Sequence, residues 1–178
     1  MKYNEFDIRY DGVCLYLSMK MKASIFAKLI LGILNFLLIP IIALMITEHI
    51  IPGAIIFGVL LILLLRYTMW NFWGGEYLII NSKSISYQYD YGFLLTNLTT
   101  KKIGKVLNTE KISIHQHGKP EQVTIQFSTY DQDELPELVY QLAIPISDKD
   151  AESLLMGVNI IFLDKVADDY SLPPLYLN

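Results

Sequence analysis

Residues 29 to 46 read LILGILNFLLIPIIALMI, and residues 50 to 65 read IIPGAIIFGVLLILLL. Only the short polar break at residues 47 to 49 separates these two runs. The first run contains a single strongly polar side chain, Asn35, and the second contains none. With the flanking residues that can lie at an interface, each run reaches about 20 helical residues, enough to cross ~30 Å of hydrocarbon. The sequence therefore predicts a transmembrane helical hairpin over residues 23–73.

Two other interpretations of the hairpin are weaker. The buried helices of a soluble core are more often ~10 to 14 residues long and carry polar positions where they meet solvent. A cleaved signal peptide would not begin after more than twenty residues with strand-like patterning, nor be followed at once by a second apolar run. We therefore expect the hairpin to stay in the bilayer.

The positive charges predict the orientation of the hairpin. They flank its two outer ends and are absent from the connection between the helices: Lys20, Lys22, Lys28 and Arg66. Because basic residues are retained on the cytoplasmic side, both termini and the C-terminal domain are expected in the cytoplasm, with the hairpin integral to the cytoplasmic (inner) membrane. An aromatic group marks the membrane interface where the second helix would leave it: Tyr67, Trp70 and Trp73.

Composition limits the remaining function classes. The chain has 178 residues, 53% of them hydrophobic, which fits one hairpin plus one small domain. From Glu76 onward there are 14 Asp or Glu against 8 Lys or Arg, so this part is acidic and nucleic acid is not an expected partner. The single cysteine, Cys14, cannot form an internal disulfide.

The segment before the helical hairpin, residues 1–22, has the pattern of a short β-hairpin or an edge strand. Asp11-Gly12 lies between two alternating runs, and this dipeptide favours a two-residue type I′ turn. The segment is on the same side of the membrane as the later domain. It could dock on that domain or lie at the membrane interface, and the sequence does not choose between them.

Residues 74–169 change to strand periodicity and end in a helix. Residues 76–80 and 85–89 form a predicted hairpin around the turn 81–84, and residues 112–127 form another. A last strand is expected at about 137–144. Ser147 is then a predicted N-cap for an amphipathic helix to about Asp168, and residues 170–178 form a tail.

Antiparallel strands followed by one C-terminal helix are the element order of a pleckstrin-homology-like domain. The stretches Glu76 to Tyr87 and Thr99 to Ile103, with the Gly92 turn between them, resemble bacterial membrane proteins that place such a domain after a two-helix hairpin. The arrangement, including Trp70-Asn71, is also similar to the photosystem I assembly factor of chloroplasts and cyanobacteria. The expected fold class is thus α+β, with a transmembrane hairpin, a small antiparallel sheet or barrel, and a C-terminal helix.

This resemblance implies a binding platform and not an enzyme. The expected function is that of an accessory or assembly subunit of a larger integral membrane complex, and a second copy of the chain is kept open as a partner. Three tyrosines, Tyr87, Tyr89 and Tyr91, are candidate partner contacts as well as candidate sheet packing. The alternative function is recognition of a lipid headgroup by a basic face: Lys101, Lys102, Lys105 and Lys111.

No catalytic or cofactor motif is found in the sequence. It has no Gly-rich phosphate loop, Gly-x-Ser-x-Gly elbow or Cys-x-x-Cys pair. His115 and His117 would share one face of a strand but have no evident third ligand, so no metal site is predicted. Asn35 is expected to make a polar contact between the two membrane helices.

Overall fold

The computed structural model describes residues 5–104, 106–114, 122–130 and 135–169, with side chains as far as residue 162. The described residues form three helices: α1 (Ile25–Thr47), α2 (Ile51–Trp73) and α3 (Asp148–Asp169). The strands are β1 (Glu5–Tyr10), β2 (Leu15–Lys20), β3 (Gly75–Ile80), β4 (Ser84–Asp90), β5 (Thr99–Lys102), β6 (Leu107–Ile114), β7 (Gln122–Tyr130), β8 (Pro136–Gln141) and β9 (Ile146–Ser147). The α+β class predicted from the sequence is confirmed.

Helices α1 and α2 form the predicted hairpin. Each is 23 residues long and apolar enough to cross a membrane, and most of its side chains are exposed. Neither Asn35 nor Pro40 ends the first helix, and both helices extend to the polar break, where the Glu48 amide caps α1 and His49 adopts a φ of 57°. Pro52 in the first turn of α2 suits a position where the backbone N–H has no helical partner.

The first sheet has the order β1-β2-β3-β4-β5, and all of its pairs are antiparallel. Strands β2 and β3 are direct neighbours, with Lys20 opposite Gly75, although the helical hairpin separates them in the chain. The N-terminal segment is therefore joined to the later domain as part of one sheet. The hairpin is an insertion between two paired strands.

The second sheet has the order β6-β7-β8, and β9 pairs with the other end of β7. The two sheets and α3 enclose the core, and among the described strands they do not close into a barrel. Fully buried members come from both sheets, from the bend between β8 and β9, and from the helix: Leu15, Met19, Leu78, Ile80, Ile85, Ile125, Phe127, Ile144 and Leu154. Ser147 accepts a hydrogen bond from the Asp150 amide at 3.2 Å, so the predicted N-cap of α3 is present.

Two local predictions differ from the structure. The β1–β2 connection is not a two-residue type I′ turn: Gly12 has a φ of 93°, whereas Asp11 does not have a positive φ. Instead, Asp11 Oδ1 accepts from the Val13 and Cys14 amides at 2.9 and 2.7 Å, which stabilises a longer turn. The predicted last strand is also shorter, because β8 ends at Gln141 and the chain bends before β9.

Candidate functional site

The two ends of the first sheet have different surroundings. Strand β2 leads into α1 and β3 follows α2, so Lys20 and Gly75 lie beside the helix ends, and Asp90 of β4 pairs with Gly75. We call this the hairpin end of the sheet. The opposite end, near Ile80 and Ile85, is formed by the turns most distant from the helices along the strands.

An aromatic cluster joins α2 to the hairpin end of the sheet. The Trp70 ring lies 5.8 Å from the Tyr89 ring in an edge-on arrangement and 5.3 Å from the Tyr91 ring. Arg66 donates to the Tyr91 hydroxyl at 3.2 Å, and its guanidinium lies 5.3 Å from the centre of the Tyr91 ring. With Tyr67 and neighbouring residues of α2, these side chains line an open cavity of about 350 Å³. We call this cluster the aromatic junction.

Behind the junction lies a buried carboxyl group, Glu76. Its Oε1 accepts from the Tyr140 hydroxyl at 2.6 Å, and its Oε2 accepts from the amides of Ala143 and Ile144 at 3.0 and 2.8 Å. The Tyr140 hydroxyl is also hydrogen-bonded to the Tyr89 hydroxyl at 3.2 Å. One network therefore connects β3, the chain after β8 and the aromatic junction.

Burial has the largest effect on the pKa values of Glu76 and Tyr140. It raises the pKa of Glu76, and the hydrogen bonds from Tyr140, Ile144 and Ala143 oppose that rise. Burial, followed by the neighbouring Glu76 charge, raises the pKa of Tyr140. Tyr140 therefore keeps its proton and acts as a hydrogen-bond donor to Glu76.

The three predicted tyrosines have different environments. Tyr89 and Tyr91 belong to the aromatic junction, whereas Tyr87 stacks on Tyr140 with ring centres 4.3 Å apart. Of the predicted interfacial group, Trp70 is half-buried in the junction, while Tyr67 and Trp73 remain largely exposed. The sheet thus covers one of the side chains expected to face the membrane surface.

Asn35 connects α1 to α2. Its Nδ2 donates to Thr68 Oγ1 of α2 and to the Leu31 carbonyl, both at 2.7 Å. Thr68 in turn donates to the Leu64 carbonyl at 2.7 Å. Asn35 Oδ1 is buried and has no hydrogen-bond partner among the described residues.

The predicted basic face is divided between two sheets. Lys101 and Lys102 are exposed on β5, the edge of the first sheet, and Lys101 Nζ contacts the Leu138 carbonyl at 3.3 Å. Lys102 pairs with Ser84, six residues from Asp90 along β4, which is ~20 Å from the hairpin end. Lys111 lies on β6 of the second sheet and forms an ion pair with Asp148. Lys105 lies outside the described residues.

A groove crosses the solvent-facing side of the first sheet. It has a volume of about 470 Å³, and its lining includes Asp7, Arg9, Asp11, Tyr16 and Tyr77. These positions alternate with the core positions of β1, β2 and β3. We call this surface the outer groove.

Sequence reasoning missed Glu76, the Arg66 contact and the outer groove. The sequence did indicate that Glu76 is buried, because it lies two and four residues before the core residues Leu78 and Ile80 and so on the same face of the strand. A charged residue at a core position needs partners, and these partners lie more than sixty residues later.

Within the described residues, no group of three or more His, Cys, Asp or Glu side chains could hold a metal ion. His115 and His117, which the sequence predicts to share one face of a strand, lie outside those residues. Comparisons of the chain with protein-family models, with curated proteins and with solved structures found no significant match.

Proposed function

We propose that the protein is a non-catalytic, membrane-anchored binding module that serves as an accessory or assembly subunit of a larger membrane protein complex. Its sheet domain would be the platform of pleckstrin-homology-like type that the order of elements favours. The observation that carries this proposal is the insertion of the helical hairpin between two paired strands, because it fixes the platform relative to the helices.

A flexible tether would leave a domain free to turn at the membrane surface. Here both connections are short, and the Met21 amide donates to the Gly74 carbonyl at 2.8 Å, which continues the β2–β3 pairing to the helix ends. Lys28 of α1 donates to the Phe72 carbonyl of α2 at 3.1 Å, and the aromatic junction adds side-chain packing. This construction supports a role in which a surface must be held at a set height and angle.

The outer groove is the best candidate for the surface that meets a protein partner. Tyrosine and arginine are enriched where protein interfaces are most strongly bound, and the groove contains Arg9, Tyr16 and Tyr77. Recognition of lipid headgroups by the lysine face has less support. Lys101 and Lys102 lie toward the end of the sheet opposite the helices, and Lys111 is already ion-paired.

The test is purification of the full chain from its native membrane in mild detergent, with native sizing and mass spectrometry. The double variant Arg9→Glu/Tyr16→Ala alters the outer groove at two exposed side chains, so the sheet should fold. Lys83→Glu is the matched control, since it makes the same charge change on an exposed turn elsewhere in the sheet.

We expect the wild type and the control to recover one larger membrane assembly at constant stoichiometry, and the groove variant to lose it. If the wild type, the control and the groove variant are each recovered without another protein and with anionic lipid bound, the accessory-subunit function is contradicted. Lipid recovery that was then lost on replacing Lys101 and Lys102 by Glu would favour the headgroup alternative.

A further inference from the structure

The loop between β4 and β5, residues 91–98, exposes four large apolar side chains. Phe93 is 77% exposed, Leu94 57%, Leu95 58% and Leu98 54%. The loop contains no charged residue. Contiguous apolar exposure of this kind usually marks a contact surface.

Hydrogen bonds donated by backbone amides fix the shape of this loop. The Tyr91 amide donates to the Leu94 carbonyl at 3.0 Å, and the Gly92 amide donates to Asp90 Oδ1 at 2.7 Å. Beyond this turn, the Thr96 amide donates to the Tyr89 carbonyl at 2.9 Å. The apolar side chains are thus presented outward by an ordered turn.

The loop lies at the hairpin end of the sheet, directly against α2. The Phe93 ring is 6.3 Å from the Trp73 ring, and a Cβ added to Gly92 would lie 2.8 Å from the Trp73 Cβ. Tyr91 reaches Arg66, seven residues before Trp73 and therefore ~10 Å further along the helix. The loop consequently runs beside the last two turns of α2.

These last turns form the segment of α2 where Arg66, Tyr67 and Trp70 replace the uninterrupted apolar run. A helix that crosses a bilayer places such residues in the interfacial layer. An apolar loop held beside them lies at the same depth, and its Phe and Leu side chains suit partial burial among lipid acyl chains.

We propose that the loop of residues 91–98 inserts into the interfacial layer of the bilayer that the helical hairpin spans, as a third membrane contact of the chain. This inference rests on the proposed membrane anchoring. We assign the bilayer as the partner of this loop because the loop surface is continuous with that of α2 through Trp73 and Phe93.

The experiment measures the depth of single labelled positions in the full chain. Cys14 is replaced by Ser, and one new cysteine carries an environment-sensitive fluorophore in phosphatidylcholine vesicles with nitroxide-bearing lipids. Leu94→Cys and Leu98→Cys report on the loop. Val13→Cys is the matched control, because Val13 is 70% exposed in the β1–β2 turn at the opposite end of the sheet.

A fourth label, Phe36→Cys, reports on the middle of α1. We expect lipids with the nitroxide near the headgroup to quench most of the emission at positions 94 and 98, and to leave position 13 unquenched. A nitroxide deep in the acyl region should quench position 36.

Two results would overturn the inference and can be told apart. If position 36 is quenched while positions 94 and 98 behave like position 13, the hairpin spans the bilayer but the loop does not enter it. If position 36 is unquenched as well, membrane anchoring itself fails, and the loop inference fails with it.

Discussion

Replacing Glu76 by Met removes both carboxyl oxygens at nearly constant side-chain volume. Glu76 is fully buried, and it is the acceptor for the Tyr140 hydroxyl and for the amides of Ala143 and Ile144. Glu76→Gln is the matched control. It keeps one acceptor oxygen for the two amides, and its amide nitrogen can donate to the Tyr140 hydroxyl.

The expected loss of stability follows from the donors left behind. An unsatisfied buried donor costs about 1–3 kcal/mol. The Ile144 amide is buried, whereas the Ala143 amide is partly buried beside the open cavity and Tyr140 can turn to Tyr89. We therefore expect Glu76→Met to lower the free energy of unfolding by about 2–5 kcal/mol and Glu76→Gln by about 1 kcal/mol.

The assay is thermal unfolding of the full chain in detergent, followed by tryptophan emission. The chain has two tryptophans, and Trp70 lies in the aromatic junction next to Tyr89, so its emission reports on this region. The Met variant should unfold on the order of 10 °C below the wild type. Equal melting temperatures for the Met and Gln variants would refute the view that the carboxyl group satisfies the amides of residues 143 and 144.

Three further predictions concern the same chain. Burial raises the pKa of Glu76 above its ordinary value of 4.5. The contribution of Glu76 to stability is therefore fully present below pH 4.5 and is lost as the pH rises through the folded-state pKa. The melting temperature of the Glu76→Gln variant should lack this decline. Gly92→Ala should cost about 1–3 kcal/mol more than Gly12→Ala in chemical unfolding, since both residues have a positive φ but only Gly92 abuts Trp73; equal costs would contradict that contact. Asn35→Leu should destabilise the hairpin by about 0.6 kcal/mol in a detergent unfolding titration, and a stabilised variant would show that the interhelical bond contributes nothing.

The elements that the sequence predicted well depend on short-range patterns. The helices α1 and α2 follow from runs whose length and hydropathy are those needed to cross a bilayer. Strands β3 and β4 follow from alternation around Asn81, whose side chain accepts from the Lys83 and Ser84 amides in the turn. In each case the deciding residues are neighbours in the chain.

The candidate site depends on contacts between distant parts of the chain. Arg66 meets Tyr91 and Glu76 meets Ile144 only after the strands have paired, and no local pattern specifies either partner. The same holds for the docking of the N-terminal segment, because the pairing of Lys20 with Gly75 crosses the whole hairpin. The turn at Asp11 was mispredicted because its side chain, and not its backbone preference, determines the geometry.

Placing the hairpin between β2 and β3 has a consequence for biosynthesis. Strand β2 is synthesised before the two helices and β3 after them, so the β2–β3 pair of the first sheet cannot form until both helices have been synthesised. In a free chain, bringing Lys20 to Gly75 would carry the entropy cost of closing a long loop. If the hairpin inserts into a membrane as proposed, the two helices would bring their outer ends together before the sheet forms. Membrane insertion would then supply this entropy cost, and the sheet would fold on helix ends that the bilayer holds in place.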